Sequence, residues 1–294
     1  MSVPYRKKQK ESLLRVTDKT TLFNFLTEQL SDKSRSTIKS YLAHRQVAVN
    51  GRVTTAFDTV LHAGDTVAVR AIGEHAPNPN NKIRIVFEDN DLLIVDKKYG
   101  VISQSGATAG KETAYSIACE HVARHQKEAN VLLVHPLDRE VSGLLLFAKS
   151  DEAFKRLNSD WHKGAVQQTF IAVVEGAPTQ QNGTLVHWLT HDRLRNKPVA
   201  ATDDNGGRKA TTHFKVLKTN GRFAQMALTP VTDYNSQMRV QLATVGTPIA
   251  GDKRFGARSN PIGRLCLHAQ TLSFYHPFTG KPLCFDTGIP AYFQ

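Results

Sequence analysis

Residues 131–150, VLLVHPLDREVSGLLLFAKS, place a charged turn between two apolar segments that each have the length of a strand. A carboxylate such as Asp138 between two buried strands costs several kcal/mol unless it is ion-paired or hydrogen-bonded. Its neighbour Arg139 is a poor partner, because adjacent side chains on an extended chain point in opposite directions. Two interpretations stay open from the residues alone: Asp138 caps the turn, or it is a nucleophile or general base in a cleft.

The charge of the chain favours a polyanionic partner, since the formal net charge of the 294 residues is +12. Residues 1–52 alone hold eleven Lys or Arg and four Asp or Glu, a net charge of +7. The alternative is that this excess is only the solvated basic surface of an ordinary protein.

The remaining composition predicts a cytoplasmic protein with neither a membrane segment nor a metal site. No run approaches the ~18 apolar residues of a membrane span, and MSVPYRKKQK lacks the apolar segment of a secretory signal. Cys119, Cys266 and Cys284 are too scattered for a disulfide framework or a zinc cluster. SGATAGKET lacks the hydroxyl of a phosphate-binding loop, and HVARH lacks the Glu and the third ligand of a zinc site.

The first 72 residues predict a small α/β unit. TLFNFLTEQL has apolar residues at helical spacing, and Ser34 is a suitable N-cap for a second helix over SRSTIKSYLAHR. On that second helix Arg35 and Lys39 share a face, and Arg45 follows just past its end. The Asn-Gly pair in VAVNGRV indicates a hairpin turn, and HAGDTVAVR predicts a closing strand.

SRSTIKSYLAHRQVAVNGRV followed by LHAGDTVAVR resembles the RNA-binding domain named after ribosomal small-subunit protein four. The resemblance implies that Arg35, Lys39 and Arg45 contact RNA. The alternative is a generic subdomain that only orients the rest of the chain. Residues 73–82, GEHAPNPNNK, carry Pro and Asn with nothing to bury, which predicts a linker to a second domain at 83–294.

Residues 83–294 predict an α+β domain built on a mixed or antiparallel sheet. Helices are expected at 112–128 and over DEAFKRLNSDWHKG, and strands outnumber them without a regular βαβ alternation. The expected strands are IRIVFED, LLIVDKK, VLLVHPL, GLLLFAK, QQTFIAVVEG, THFKVLKT, FAQMALTPV and QTLSFYH.

Five segments of this domain resemble the RluA-type pseudouridine synthases. HPLDREVSGLLLFAKS is similar to that family's H-R-L-D-R-x-T-S-G-L-L-L-x-A-K, and DYNSQMRVQLATVGTPIAGDKRFG is similar to G-R-T-H-Q-I-R-x-H-x-x-x-x-G-x-P-x-x-G-D-x-x-Y-G. LLIVDKKYGVIS, QTFIAVVEG and RLCLHAQTLSFYHPFTGKPL are similar to its first, K-x-Y and closing motifs.

The resemblance implies an isomerase that converts uridine to pseudouridine in structured RNA, with neither metal nor organic cofactor. Asp138 would be the nucleophile, and Arg239 would hold that carboxylate ionised and oriented. The target nucleotide must be flipped out of its stack, at a cost of a few kcal/mol. Ribosomal RNA is the expected substrate, transfer RNA is also possible, and a monomer is expected.

Several positions depart from the family pattern. Pro136 replaces an Arg that is thought to fill the space left by the flipped base, and the neighbouring Arg139 is an RNA contact that could compensate. Phe170 replaces a Tyr, so its ring can stack on uracil but cannot exchange a proton. Gln168 replaces a Lys, and residues 233–236 replace G-R-T-H.

Two functions stay open at this point. One is an active synthase with an altered RNA site, and the other is a non-catalytic RNA-binding or ribosome-assembly protein that keeps the synthase fold. Retention of both Asp138 and Arg239 favours the synthase, because an idle buried acid would cost stability without return.

Overall fold

The computed structural model describes residues 12–31, 35–43, 47–69, 82–104, 112–126, 128–194, 196–204 and 206–293. The first part of the chain forms a small unit whose four-stranded antiparallel sheet has the order β1-β6-β3-β4. Its elements are β1 (Ser12–Arg15), β2 (Thr20–Thr21), α1 (Leu22–Gln29), α2 (Arg35–Ala43), β3 (Val47–Val49), β4 (Arg52–Val53), β5 (Val60–Leu61) and β6 (Thr66–Val69).

The small unit has a hydrophobic core of its own, in which α1 and α2 pack on the sheet through side chains such as Leu26, Ile38 and Val67. The predicted hairpin is confirmed. Asn50 and Gly51 connect β3 to β4 with φ angles of 48° and 77°, the left-handed values that a two-residue turn requires. The proposed N-cap Ser34 lies outside the described residues.

The rest of the chain forms one large sheet with helices on it. Its elements are β7 (Ile83–Glu88), β8 (Leu92–Lys97), α3 (Ala114–Ala123), β9 (Leu132–Leu133), β10 (Ser142–Ala148), α4 (Asp151–His162), β11 (Gln167–Glu175), β12 (Asn182–Asp192), β13 (Lys197–Ala201), β14 (Arg208–Thr219), β15 (Phe223–Pro230), α5 (Gln237–Thr244), β16 (Leu267–Tyr275) and β17 (Pro282–Asp286), with 3-10 turns at Lys253–Phe255 and Ala291–Phe293.

The strand order is β13-β12-β14-β15-β11-β16-β10-β8-β7, with β9 on β10 and β17 on β16. Neighbours pair antiparallel except β10 and β16, which are parallel. The expected α+β architecture with a mixed sheet is therefore confirmed.

The centre of this sheet is buried on both faces. Leu145 and Phe147 of β10 point into the core that contains α3, whereas Leu144 and Leu146 point into the core that contains α4. Strands covered on both faces read as continuous apolar runs, which explains the run GLLLFA. The described helices include none that is long and apolar enough to cross a membrane.

Several elements differ from the expectations. The run VLLVHPL was expected to be a full strand, but only Leu132–Leu133 pairs with β10 and the chain then turns. The helix expected at 112–128 is shorter: Thr113 caps its start in a reciprocal bond with Ser116, and the helix already ends at Ala123. Strands β12, β13 and β17 and helix α5 were not expected at all.

Gly143 lets β10 approach β16 closely at the point where the two strands run parallel. Its φ angle is +119°, and a Cβ there would overlap the backbone of Ala269. A residue with a side chain would be strained at this φ angle, and its Cβ would clash with the Ala269 backbone. Because Gly143 follows the turn at 135–141, this close approach also sets where the turn lies.

We expect Gly143→Ala to destabilise the protein by about 2–5 kcal/mol, combining roughly 1–2 kcal/mol of left-handed strain with roughly 1–3 kcal/mol of overpacking. Gly221→Ala is the matched control, because Gly221 has a φ of +81° but open space around it. Urea unfolding would measure both changes. Equal losses in the two variants would show that β10 and β16 can separate without cost.

Candidate active site

A buried lysine fixes the turn that carries Asp138. Lys97, at the end of β8, is fully buried. Its ammonium donates to the carbonyl oxygens of Val141, Val101 (2.8 Å) and Asp138 (3.3 Å). Burial and the nearby charge of Arg264 lower the pKa of Lys97 to about 8. One side chain therefore holds the backbone at Asp138 and just beyond it.

The loop after β8 supports the same turn from a second side. Leu137 donates its backbone N–H to Ser103 Oγ (3.0 Å), and that hydroxyl donates to the Leu137 carbonyl (2.6 Å). Gly100 donates its N–H to the Arg139 carbonyl, and Arg139 Nε donates to the Gly100 carbonyl at 3.0 Å. The exposed Arg139 side chain is thus folded back on this loop.

Arg239, on α5, joins the turn to a third segment. Its Nη1 donates to Asp138 Oδ2 at 2.6 Å, while Nε and Nη2 donate to the two oxygens of Asp252 at 2.7 and 2.8 Å. The Arg239 side chain is 5% exposed and that of Asp252 is 1% exposed. The ion pair expected between Asp138 and Arg239 is present. Asp252 completes it as a bidentate partner.

Ser236 supplies a second bond to the same carboxylate oxygen. Its hydroxyl donates to Asp138 Oδ2 at 2.8 Å. Ser236 has a φ of +56° at the N-cap of α5. Left-handed backbone is unfavourable for a residue other than Gly and is often found at functional sites. The strain lets the chain enter α5 with Ser236 and Arg239 directed at the same oxygen.

Asp138 lines a cavity of about 430 Å³ between the turn, β11 and the segment that enters α5. The Asp138 side chain is 22% exposed, so the carboxylate reaches solvent while its ion-pair partner does not. Phe170 on β11 is 4% exposed and forms part of the wall. The cavity is also lined by Tyr234, Asn235 and Met238, from the segment that enters α5 and from α5 itself.

His135, on the wall of this cavity, stacks on the ring of Trp161. The rings of His135 and Trp161 are parallel to within 20°, with centroids 4.4 Å apart. Gln168 Nε2 lies 3.3 Å from His135 Nε2, and Trp161 Nε1 donates to Asp233 at 3.1 Å. Burial lowers the pKa of His135 to about 3. His135 is therefore neutral near pH 7 and acts as a flat apolar surface.

The structure brings Asp138, Arg239 and Phe170 together at this cavity and leaves the other predicted residues elsewhere. Arg139 does not line it. On the small unit, Arg35 and Lys39 are exposed, and their charged groups lie 5.4 and 5.9 Å from the centre of the same ring, Phe23. Arg45 lies outside the described residues.

Sequence reasoning missed the groups that hold the carboxylate in place. Lys97 could have been noticed as a charge at the end of an apolar strand. Asp252 lies thirteen residues after Arg239 in the Gly-Asp pair of the same motif. Ser236 was noted only as a substitution, and its bond to Asp138 has no signal in the sequence.

One further group has metal-binding chemistry. Donor atoms of Asp89, Asp91 and His276 lie within 4.8 Å of one another. Asp89 already accepts from the backbone N–H groups of Asp91 and Leu92, and its second oxygen is 3.0 Å from His276 Nε2. These residues line none of the cavities around Asp138. These bonds explain the group as one that stabilises the turn between β7 and β8.

Comparison with known proteins identifies the fold and the family. Residues 91–244 match the family model described as RNA pseudouridylate synthase. The chain belongs to this family. A match of this extent includes the turn at Asp138, the cavity wall on β11 and the segment with Arg239. Members of the family are isomerases that act on RNA.

Relatives of this synthase cover nearly its whole length. It is 29% identical to "Uncharacterized RNA pseudouridine synthase YhcT" of Bacillus subtilis, over 92% of this chain and 90% of the relative. It is 30% identical to "Ribosomal large subunit pseudouridine synthase C" of Vibrio cholerae, with the same two coverages. The solved structure of "Human RNA Pseudouridylate Synthase Domain Containing 1" matches 73% of this chain and 86% of that one, with a TM-score of 0.60 at 20% identity. That last likeness concerns the fold.

The neutral His135 makes the stability of this synthase depend on pH. Unfolding exposes the ring and returns its pKa from about 3 to about 6.5. Protonation therefore favours the unfolded state, and stability falls as the pH drops below about 6.5 towards 3. Through this residue the free energy of unfolding should fall by about 1.4 kcal/mol per pH unit. Urea unfolding at pH 7.5 and 5.0 would measure the loss.

In the variant His135→Gln this part of the pH dependence should disappear, whatever its stability at pH 7.5. His191→Gln, at an exposed histidine, is the control and should follow the unmodified protein. An unchanged slope in His135→Gln would show that the pKa of the ring is the same in the folded and unfolded states.

Proposed function

We propose that this chain converts uridine to pseudouridine in ribosomal RNA, with Asp138 as the nucleophile. The observation that carries the proposal is the asymmetry of the Asp138 carboxylate. Oδ2 accepts bonds from Arg239 and Ser236. Among the described residues no donor contacts Oδ1. One oxygen is therefore anchored, and the other is available to a substrate atom in the cavity.

The chemistry needs one carboxylate and no added group. Attack of Oδ1 on C1′ forms an ester-like bond to the sugar while the C1′–N1 bond breaks and its electron pair leaves with uracil. The base turns within the cavity, C5 bonds to C1′, and the carboxylate is released. C5 loses one proton and N1 gains one, so the product is an isomer of the substrate.

The proton step cannot use Phe170, which has no exchangeable proton. The Asp138 carboxylate is free again once the C5–C1′ bond has formed, and it lies on the same cavity wall. We assign acceptance of the C5 proton to it. Phe170 keeps an apolar surface on which the uracil ring stacks.

The substrate is inferred from the relatives. Two proteins of Vibrio cholerae, at 30% and 28% identity, carry the names "Ribosomal large subunit pseudouridine synthase C" and "D". Each aligns with at least 90% of this chain. RNA of the large ribosomal subunit is therefore the proposed substrate class.

We infer that residues 1–72 form an RNA-binding domain like that of ribosomal small-subunit protein four, joined by residues 73–82 to a catalytic domain at 83–294. The separate hydrophobic core of the small unit supports this division. Its α2 carries Arg35 and Lys39 as exposed cations, and the expected third cation is Arg45. Their positive charge suits the phosphates of an RNA strand.

Asp138→Asn should abolish pseudouridine formation, with a loss on the order of 10⁴–10⁶-fold as for other nucleophile removals. Cells that carry this variant in place of the normal gene should lack pseudouridine at the sites the enzyme makes. Mapping pseudouridine across all cellular RNA would name those sites. If purified wild-type protein were inactive and every site persisted, RNA binding without catalysis would be the surviving function.

Stability measurements on Asp138→Asn and Asp252→Asn distinguish a loss of catalysis from a loss of folding. Asp252→Asn removes a buried partner of Arg239 and should cost about 3–5 kcal/mol, more than Asp138→Asn, whose side chain keeps contact with solvent. Loss of activity in Asp138→Asn would therefore arise in a folded protein. If Asp138→Asn unfolded as readily as Asp252→Asn, its inactivity would reflect unfolding. A folded Asp138→Asn protein should still bind RNA.

Arg35→Ala combined with Lys39→Ala should weaken RNA affinity and its dependence on salt. Each phosphate contact removed lowers the slope of log K against log salt by about 0.7 on single strands or 0.9 on duplex. The exposed pair Lys155→Ala with Lys163→Ala on and after α4 is the charge-matched control. If both pairs change the slope equally, α2 has no special part in RNA binding.

A further inference from the structure

The cavity that holds Asp138 continues into a longer groove. It shares Gln168, Phe170 and Tyr234 with a second cavity of about 470 Å³. That second cavity shares Arg208, Tyr234 and Asn235 with a third of about 390 Å³. Tyr234 lines all three. The groove is therefore continuous from the carboxylate, past Tyr234, to the outer cavity, and it exceeds the space that one uracil needs.

At the junction of the second and third cavities a guanidinium is held over an aromatic ring. The Arg208 carbon Cζ lies 4.5 Å from the centre of the Tyr234 ring. The ring itself packs on Leu189, Val240 and Phe255, so it is supported from beneath. A cation–π contact of this kind limits where the guanidinium can go.

The donors of Arg208 are available to a ligand. The side chain is exposed, and it forms neither an ion pair nor a hydrogen bond with the described residues. A guanidinium presents five donors in a planar fork that matches phosphate oxygens. A positioned fork that has no carboxylate partner in the part of the chain that the structure describes, on the wall of a groove that leads to Asp138, has the character of a phosphate site.

The charged side chains along the groove favour binding of an anionic group at its outer end. Arg254 lines the third cavity, where its Nη2 donates to the Asn196 carbonyl at 2.8 Å. Asp233 lies on the inner side, bonded to Trp161 at the second cavity. An anionic group is thus repelled near Trp161 and attracted beyond Tyr234.

We propose that the Arg208–Tyr234 pair binds the backbone phosphate of a nucleotide that flanks the target uridine, with Arg254 as a second cation further along the groove. This inference rests on the proposed function, since it assumes that the uridine occupies the Asp138 cavity. Tyr234 stands where the motif G-R-T-H has Arg. The cation at this edge of the site comes instead from β14 and is held by the tyrosine ring.

Binding of an unmodified transcript of a bacterial large-subunit ribosomal RNA tests the subsite. Titrations use the Asp138→Asn background, so that turnover does not enter. Arg208→Gln should weaken binding by about tenfold at low salt, as for loss of a charged hydrogen bond, and should lower the salt slope by about 0.7. Tyr234→Leu should lose more affinity than Tyr234→Phe, because only Leu removes the ring.

Lys209→Gln is the matched control. It removes the same charge from the next residue of β14, whose side chain points to the other face and lies near Trp188. Lys209 lines none of the three cavities. A salt slope in Arg208→Gln equal to that in Lys209→Gln would overturn the subsite.

Activity assays, in which Asp138 is left unchanged, distinguish a failure of the phosphate subsite from a failure of the proposed function. With an active wild-type enzyme, Arg208→Gln should raise KM more than it lowers kcat, because the contact lies away from the reacting atoms. An active enzyme whose Arg208→Gln variant loses kcat with KM unchanged would contradict the subsite and leave the proposed function intact. A wild-type enzyme without activity on any RNA would contradict the proposed function, while the slope comparison would still decide whether Arg208 contacts phosphate.

Discussion

The buried guanidinium of Arg239 is the interaction on which the site depends. It bonds Asp138 on one side and Asp252 on the other, and Glu140 lies 3.7 Å from the same Nη1. Burial alone would lower the pKa of Arg239, but the bonds to Asp252 and then to Asp138 outweigh it and raise that pKa. Removing one carboxylate would leave a charge without full compensation in a dry environment. Three segments distant in sequence are therefore held in one arrangement.

The sheet places this arrangement next to its fully buried central strand, β10. Gly143 brings β10 against β16, and Lys97 at the end of β8 bonds the carbonyls of the turn that precedes β10. The turn is thus tied to both neighbours of β10 by contacts that do not involve Arg239. Placement of the Asp138 carboxylate comes from backbone geometry, and its orientation comes from side chains.

Apolar periodicity was sufficient for the central strands and for α4, but it could not show α5. Helix α5 directs Gln237, Arg239 and Gln241 inwards, where they bond β-strand carbonyls, Thr212 and Asp252. A helix with buried polar residues has no apolar face to recognise. Strand β12 places the polar His187 among its buried residues, and the edge strand β13 is half-buried at every position, so neither shows a clear apolar pattern. Asp138 stands out in the sequence as an acid between two apolar runs, whereas Arg239 was found only because a motif marks it.

Two of the positions that depart from the family pattern, Asp233 and Gln168, are linked through the stacked rings of Trp161 and His135. Asp233 bonds Trp161, whose ring stacks on His135 beside Gln168. The contact between Gln168 and His135 is buried, where a polar group without a partner would be costly, whereas the bond from Trp161 to Asp233 is exposed. The cavity wall therefore differs from the family pattern at several positions, while Asp138 keeps its ion pair with Arg239. Replacing Asp138 would leave the buried Arg239 guanidinium with one carboxylate partner fewer, so retention of this acid serves the structure of the site as well as the proposed chemistry.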